Sequence, residues 1–103
     1  MNSAEFSNVF DHAQAIRRSS WVILSIPNQL EHPRLGVVVS KKIAPKAHQR
    51  NRIKRLAKET FRLKREQMPN LDVIVLPKHK VLQLDNSEAV SQLRKAFYAL
   101  NYL

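Results

Sequence analysis

Residues 50–62 read RNRIKRLAKETFR, a stretch in which six cations accompany one carboxylate. On a helical wheel that advances about 100° per residue, the apolar side chains gather on one side and the charged side chains on the other. The apolar side consists of Ile53, Leu56, Ala57, Thr60, Phe61 and, further along, Met68. The pattern predicts an amphipathic helix that packs on a sheet. The helix begins between Ala47 and Asn51, after Pro45, and ends before the proline at position 69.

Short apolar segments rich in β-branched residues flank this helix and supply the expected sheet. They are WVILSI (21–26), LGVVVSK (35–41) and LDVIVLP (71–77). The helix connects 35–41 to 71–77, so these two strands should lie parallel in one sheet as a βαβ unit, for which a right-handed crossover is the default. We expect strand 21–26 to run antiparallel to strand 35–41.

Two further helices are predicted near the ends of the chain. The segment SAEFSNVF (3–10) has apolar residues at helical spacing and Ser3 as a cap, and the polar segment 11–20 that follows is assigned no regular element. The last helix begins at a cap, Asn86 or Ser87, and its apolar residues recur at helical intervals as far as Leu100. The order helix–strand–strand–helix–strand–helix predicts an α/β (α+β) two-layer sandwich with one mixed sheet, in a single domain over residues 1–103.

The net charge of +10 lies entirely in one quarter of the chain. Residues 41–65 hold eleven cations and one acid, whereas the rest of the chain holds seven of each. Like charges at helical spacing cost roughly 0.2–0.5 kcal/mol per pair, so the cluster opposes folding. A solvated basic face would explain a few cations, but this concentration favours a polyanionic partner. Five of the cations are arginines, whose rigid fork suits phosphate oxygens.

Folded RNA fits this helix better than duplex DNA does. A basic helix can enter the major groove of B-form DNA but not that of an A-form duplex. This helix, however, is packed between two strands, and the chain lacks a helix-turn-helix pair, zinc ligands and a leucine zipper. We therefore expect an RNA-binding domain that lies along phosphates. A DNA-binding regulator and a general RNA-binding or chaperone-like protein are the alternatives.

The composition argues against several other classes. Without cysteine, the chain has no disulfide, no thiol nucleophile and no cysteine-ligated zinc. No apolar run reaches about 20 residues and the start does not resemble a signal peptide, so we expect a cytoplasmic protein without a membrane partner. Carboxylates are scattered, the histidines lack metal spacing, and the single glycine argues against a phosphate-binding loop. We predict no catalytic residue and no metal ligand in the protein, with a pair of histidines as the alternative.

The segment SKKIAPKAHQRNRIKRLAKETFR (40–62) resembles the signature of the protein subunit of bacterial ribonuclease P, the ribonucleoprotein that trims the 5′ leader from precursor tRNA. The likeness continues in order through EFSNVF (5–10), HPRLGVVVSKK (32–42), LDVIVLPK (71–78) and LDNSEAVSQLRKAF (84–97). It therefore covers nearly the whole chain. The resemblance implies an unusual, left-handed βαβ crossover in place of the default hand.

This resemblance also implies that the large RNA is the catalyst and that Mg²⁺ bound mainly by that RNA activates the hydrolytic water, with no organic cofactor. The expected partners are ribonuclease P RNA, in a 1:1 complex with a protein monomer, and precursor tRNA, but not DNA. Carried onto this chain, the group that contacts RNA comprises Arg50, Asn51, Arg52, Lys54, Arg55, Lys58 and Arg62. The neighbouring cations Lys41, Lys42, Lys46 and Arg65 extend it.

Four apolar residues match the cleft that holds the 5′ leader in that family: Phe6 and Phe10 in the first helix, and Leu24 and Val38 at sheet positions. Periodicity alone fits Phe6 and Phe10 to a core pair. With the resemblance, we expect one ring to be partly exposed in the cleft, where a stacked base contributes about 1–3 kcal/mol.

The chain departs from the family pattern at Lys58, where arginine is frequent, at Trp21, and in having no basic arm or tail. We expect these departures to change the affinity for RNA but not the family to which the protein belongs.

Overall fold

A computed structural model describes residues 1–102. In chain order, the elements are α1 (Ser3–His12), β1 (Gln14–Arg17), β2 (Trp21–Pro27), β3 (Arg34–Val37), α2 (Ala47–Lys64), β4 (Leu71–Pro77) and α3 (Asn86–Ala99). Short 3₁₀ turns occupy Arg65–Gln67, His79–Gln83 and Leu100–Tyr102. None of the helices in the described range has the length and apolarity needed to cross a membrane.

The four strands form one mixed sheet in the order β1-β2-β4-β3. Strand β4 is central: it pairs antiparallel with β2, from Trp21↔Pro77 to Pro27↔Leu71, and parallel with β3. The parallel pair on either side of α2 confirms the predicted βαβ unit. β2 and β3 run in opposite directions as expected, but they are not neighbours because β4 lies between them. The left-handed sense of the crossover stays a prediction.

The predicted element order omitted one strand, because β1 lies within the segment that was assigned no element. This strand pairs antiparallel with β2, from Gln14↔Ser25 to Arg17↔Val22. It occupies the edge of the sheet, and three of its four residues are exposed. An edge strand with so little burial lacks the apolar alternation by which strands are recognised in a sequence.

The main core lies between one face of the sheet and helices α2 and α3. The wheel predicted the buried side of α2 correctly, since Ile53, Leu56, Ala57 and Thr60 are all buried. Phe61 is only half-buried, but its ring packs edge-on against Phe97 of α3, with the centroids 6.3 Å apart. Trp21 is fully buried in the same core, and its Nε1–H donates to the Ala89 carbonyl of α3 at 3.0 Å. Trp21 is thus a structural residue that ties α3 to the sheet.

Helix α1 covers part of the opposite face of the sheet. Val9 of α1 and Ile74 of β4 are both fully buried and lie outside the main core cluster. The two faces differ because side chains alternate along each strand: Trp21, Ile23 and Ser25 of β2 face α2 and α3. The sheet thus separates the basic helix from α1.

The residues that cap α1 and α3 lie one or two positions before the predicted ones. Asn2, not Ser3, caps α1: its Oδ1 accepts from the Glu5 N–H at 2.9 Å, while Glu5 Oε1 accepts from the Asn2 N–H at 2.7 Å. Asp85 caps α3 through the Glu88 N–H at 2.8 Å, in place of Asn86 or Ser87. Adjacent residues with equivalent capping chemistry explain both errors.

Candidate nucleic-acid interface

The side of α2 that faces away from the sheet is cationic. Six of the residues predicted to contact RNA, one asparagine and five cations, are exposed in α2 and the turn after it: Asn51, Lys54, Arg55, Lys58, Arg62 and Arg65. Three more cations, Lys41, Lys42 and Lys46, are exposed in the segment that leads into the helix. We call these nine residues, together with Arg50 and Arg52, the basic face. All eleven lie in one continuous segment from β3 to the end of α2.

Arg52 is held in place by uncharged acceptors. Its Nε donates to Asn86 Oδ1 and its Nη2 to the Leu84 carbonyl, each at 2.7 Å. These acceptors leave the positive charge of the guanidinium uncompensated, while the side chain loses the freedom that phosphate binding would otherwise have to remove. Arg52 thus links α2 to the start of α3 and remains half-buried beside the basic face.

Arg50 is fixed in a similar way near the start of α2. Its Nη1 donates to the Ala44 carbonyl at 2.9 Å and to the Pro45 carbonyl at 2.8 Å. The loop before α2 is thereby closed onto the helix. The first turn of α2 contains no acid, so the positive end of the helix dipole adds to the charge of Lys46 and the two lysines before it.

The exception to this unpaired charge is Arg62. It pairs with Glu59, one helical turn earlier. The hydrogen bond from Arg62 and its charge lower the pKa of Glu59, and the same contact raises the pKa of Arg62. Of the ten cations in the basic face, only Arg62 has a carboxylate partner among residues 1–102, which leaves nine unneutralised.

The four residues predicted for the leader cleft all lie on the α1 side of the sheet. Leu24 pairs with Ile74, which in turn pairs with Gly36, so these positions share a face. Val38 follows Gly36 by two residues and its N–H donates to the Val75 carbonyl at 3.0 Å, which keeps it in the same register and on the same face. Phe6 is half-buried against Gly36, whereas Phe10 is 49% exposed. One ring is therefore packed and the other is accessible, and the place of the accessible ring in a leader cleft stays a prediction.

Gly36 makes room for the Phe6 ring. A Cβ atom at this position would lie 2.5 Å from Phe6 Cζ and 2.6 Å from Phe6 Cε1, closer than real contacts allow. We expect Gly36→Ala to displace the ring and to lower the free energy of unfolding by about 1–3 kcal/mol, as measured in urea. The double variant with Phe6→Leu, which shortens the side chain, should recover part of this loss. Losses that simply add would show that the ring does not oppose a side chain at position 36.

A partly buried ion-pair network, which the sequence pattern did not reveal, anchors α1 to the sheet. Arg34 donates from Nε to Asp72 Oδ1 at 2.8 Å and from Nη2 to Asp72 Oδ2 at 2.6 Å, and its Nη1 reaches Glu5 Oε2 of α1 at 2.5 Å. Asn28 adds a bond from Nδ2 to Asp72 Oδ1 at 3.1 Å. Asp72, which looked isolated in the sequence, is 5% exposed and has both carboxylate oxygens occupied. The available signal was an acid inside an otherwise apolar strand, which requires a partner when buried.

This network shifts three ionisation equilibria. Hydrogen bonds from the Arg34 guanidinium, with a smaller contribution from Asn28, hold the pKa of Asp72 below its usual range. The Asn2 backbone N–H, followed by Arg34, lowers the pKa of Glu5. The two carboxylates in turn raise the pKa of Arg34. Asp72 and Glu5 are thus charged partners of Arg34 at neutral pH, and neither is available as a general acid or base.

The side chains of residues 1–102 do not form a metal centre. Within this range, no three His, Cys, Asp or Glu side chains come close enough together to hold an ion.

Comparison with known proteins places this arrangement in a family. Residues 1–101 match the family model described as Ribonuclease P. The chain is 43% identical over 90 residues to the ribonuclease P protein component of Photorhabdus laumondii subsp. laumondii, an alignment that covers 87% of this chain and 76% of that protein.

Solved structures agree with the fold. The RNase P protein of Thermotoga maritima superposes with a TM-score of 0.81 at 26% identity, covering 90% of this chain and 88% of that one. The RNase P protein of Staphylococcus aureus superposes with a TM-score of 0.88 at 24% identity, covering 95% of this chain and 90% of that one. With its sequence matched over nearly its whole length, the chain belongs to the ribonuclease P protein family, and this membership implies a role in tRNA 5′ processing.

Proposed function

We propose that this protein is the RNA-binding subunit of a ribonuclease P ribonucleoprotein, in which the RNA carries out the cleavage. The observation that carries the proposal is the basic face, where nine cations without a carboxylate partner in residues 1–102 line one segment of a chain from this family. Such a surface attracts the phosphates of a folded RNA and releases their counterions on binding. The alternative of a protein nuclease has no support from a cluster of carboxylates or histidines within the described range.

In this proposal, the protein positions the RNA and screens its phosphates, and no protein side chain takes part in the chemical step. Mg²⁺ held mainly by the RNA supplies the activated water for hydrolysis of the phosphodiester bond. The exposed lysines and arginines of the basic face neutralise RNA phosphates that would otherwise repel one another or need more Mg²⁺. Arg50 and Arg52, fixed by neutral acceptors, present their charge without a large entropic cost. The protein therefore lowers the Mg²⁺ concentration at which the RNA is active.

The α1 side of the sheet is the proposed site for the 5′ leader of precursor tRNA. It offers an accessible ring at Phe10 and half-buried apolar side chains at Leu24 and Val38. An unpaired leader can stack its bases on such a surface without base-specific hydrogen bonds. Because the sheet separates this site from α2, one protein monomer can contact ribonuclease P RNA and substrate at the same time.

Reconstitution tests the proposed function. The full chain is mixed 1:1 with a bacterial ribonuclease P RNA at limiting Mg²⁺, and cleavage of precursor tRNA is measured. We expect the protein alone to cleave nothing and the mixture to regain activity that the RNA lacks at that Mg²⁺ concentration. Equal binding of unrelated structured RNAs without stimulation would indicate a general RNA-binding protein, and a preference for duplex DNA would indicate a regulator. Cleavage by protein freed of RNA would contradict the proposal directly.

The Phe10→Ala variant examines the leader site separately. We expect it to weaken binding of precursor tRNA to the complex by about tenfold while mature tRNA binds unchanged, because a stacked base contributes about 1–3 kcal/mol. Affinities for the two tRNAs, measured side by side, give the comparison. Leu30→Ala, which also removes an exposed apolar side chain but lies outside the predicted leader cleft, serves as the control. An equal loss for both tRNAs in Phe10→Ala would assign the ring to the core instead.

A further inference from the structure

A second basic surface lies on the outer side of α3, apart from the predicted RNA-contacting group. A concavity of about 390 Å³ between the end of α2 and α3 is lined by Lys64, Ser91, Arg94, Lys95 and Tyr98. We call these five residues the α3 patch. Its volume falls within the range of about 300–1,000 Å³ that is typical of small-molecule sites.

An aromatic ring forms one wall of the α3 patch and is held in position. Tyr98 is 61% exposed and its neighbour Tyr102 is 72% exposed, although both are large side chains. The ring centroids lie 5.4 Å apart, and the two hydroxyl groups share a hydrogen bond at 2.8 Å. Next to Tyr98 in the chain, Phe97 is buried against Phe61 of α2. Tyr98 is therefore an exposed ring that contacts Tyr102.

The charge of the α3 patch is positive. It contains three cations and no carboxylate, and none of the three takes part in a salt bridge within residues 1–102. Arg94 and Lys95 are exposed, while Lys64 is half-buried, so that its stem packs and its ammonium group stays at the rim. At the end of α2, Lys64 lies beside α3 and lines the α3 patch.

We propose that the α3 patch is a second RNA site that accepts unpaired nucleotides, with a base stacked on Tyr98 and phosphates bound by Arg94, Lys95 and Lys64. Aromatic rings beside cations are the usual platform for single-stranded nucleic acid, since every base has a face that can stack. The inference rests on the proposed function only in that the RNA-containing complex supplies the nucleotides.

Charge and continuity favour RNA over a protein partner. Lys64 lies at the end of α2, directly before Arg65 of the basic face, so the α3 patch adjoins the end of that face along the chain. A docking site for a protein would be expected to offer a larger apolar area, whereas here the exposed rings are surrounded by cations.

Crosslinking locates the nucleotide. The full chain is irradiated with an oligouridylate of about eight nucleotides that contains 4-thiouridine, a length within the usual site sizes. Trypsin cleaves after Lys95 and releases residues 96–103, which contain Tyr98. We expect the crosslinked nucleotide on this peptide in the wild type and its loss in Tyr98→Ala. Crosslinks confined to other peptides would overturn the proposal.

The affinity for the same oligonucleotide separates the contribution of stacking on Tyr98 from that of the phosphate contacts. Tyr98→Ala should weaken it about tenfold through lost stacking, while Tyr98→Phe, which keeps the ring, should stay within about twofold of the wild type. Arg94→Gln with Lys95→Gln should reduce the salt slope by about 1.4, or roughly 0.7 for each lost phosphate contact. The control, Arg18→Gln with Lys80→Gln, removes the same charge elsewhere and should reduce the slope less. An equal reduction in both double variants would overturn the proposal.

Two further outcomes distinguish a nucleotide site on α3 from a protein interface and from the function proposed for the basic face. If Tyr98→Ala changes the association state of the protein in sedimentation but not its RNA affinity, the α3 patch is a protein interface and the proposal fails. If the wild-type protein stimulates ribonuclease P RNA but gives no crosslink to residues 96–103, the proposal for the α3 patch fails and the proposed function stands. A wild type that gives the crosslink without stimulation would support the nucleotide site and contradict the proposed function.

Discussion

Replacing Lys54, Arg55 and Lys58 by glutamine is expected to weaken binding to ribonuclease P RNA by about a hundredfold or more. All three side chains are exposed on the outward side of α2, and none has an acid partner within residues 1–102. Hydrogen bonds to charged groups contribute roughly 1.5–3 kcal/mol each, so the loss of even two contacts produces this effect. The slope of log K against log salt should fall by about 2–3, at roughly 0.7–0.9 per contact. Titrations of the RNA at several salt concentrations give both quantities.

A charge-matched control makes this result specific. Replacing Arg17, Arg18 and Lys80 by glutamine lowers the net charge by the same amount but leaves the basic face intact. We expect this variant to lose less than about tenfold in affinity through the weaker long-range field alone. The α2 variant should also be no less stable than the wild type, because three mutually repelling side chains have been removed from one helix. If both triple variants lose affinity equally, α2 is not the contact surface.

Asp72→Asn is expected to cost about 2–4 kcal/mol of the free energy of unfolding. The substitution removes the negative charge from a partly buried pair and points an amide N–H group at Arg34 Nη2, which loses its acceptor while Nη1 keeps Glu5. For a domain of this size, each kcal/mol corresponds to about 4–8 °C in Tm. Asp11→Asn, an exposed carboxylate on α1, is the control and should be nearly neutral. A Tm for Asp72→Asn within about 2 °C of the wild type would contradict the role given to the network.

The same network predicts the direction of acid sensitivity. Since Arg34 lowers the pKa of Asp72 in the folded state, the pair stabilises the protein at every pH above the ordinary pKa of the carboxyl group. This stability is lost as the pH falls below about 4 and Asp72 becomes protonated. Glu5 and Glu59, whose pKa values are also lowered by hydrogen bonds, add to the loss in the same range. Asp72→Asn should therefore flatten the decline of Tm between about pH 5 and pH 2 relative to the wild type, as measured by thermal melts.

The elements that bury a continuous apolar stripe were predictable from the sequence. The wheel of α2 identified Ile53, Leu56, Ala57 and Thr60, because a 3.6-residue period records which side meets the sheet. The strand at 71–77 was equally clear, since nearly all of its residues are buried. β1 could not be found by this means. Its pairing comes from backbone hydrogen bonds to β2, which leave no trace in an exposed side-chain pattern.

The composition of the candidate site was predictable, but its internal contacts were not. The charge distribution predicted the basic face, and the resemblance supplied the residues predicted for the leader cleft, which share one side of the sheet. The acceptors of Arg52, however, are a side chain and carbonyl groups 29–34 residues away, and carbonyl groups carry no sequence signal. Asp72 and Arg34 are likewise 38 residues apart and meet only because β3 and β4 are parallel neighbours. Contacts between residues so far apart in the chain depend on the strand order of the sheet, which the sequence pattern does not show.

Directed cleavage of the RNA from α2 tests the central claim most directly. The chain contains no cysteine, so Glu59→Cys provides a single attachment point for an iron chelate on the exposed side of α2. The labelled protein is assembled with ribonuclease P RNA, hydroxyl radicals are generated, and the cut positions are read by primer extension. We predict a small set of strong cuts at fixed RNA positions, absent when the cysteine-free wild type is exposed to the same chelate. Cleavage no stronger than that background would show that RNA does not lie along α2 and would contradict the account.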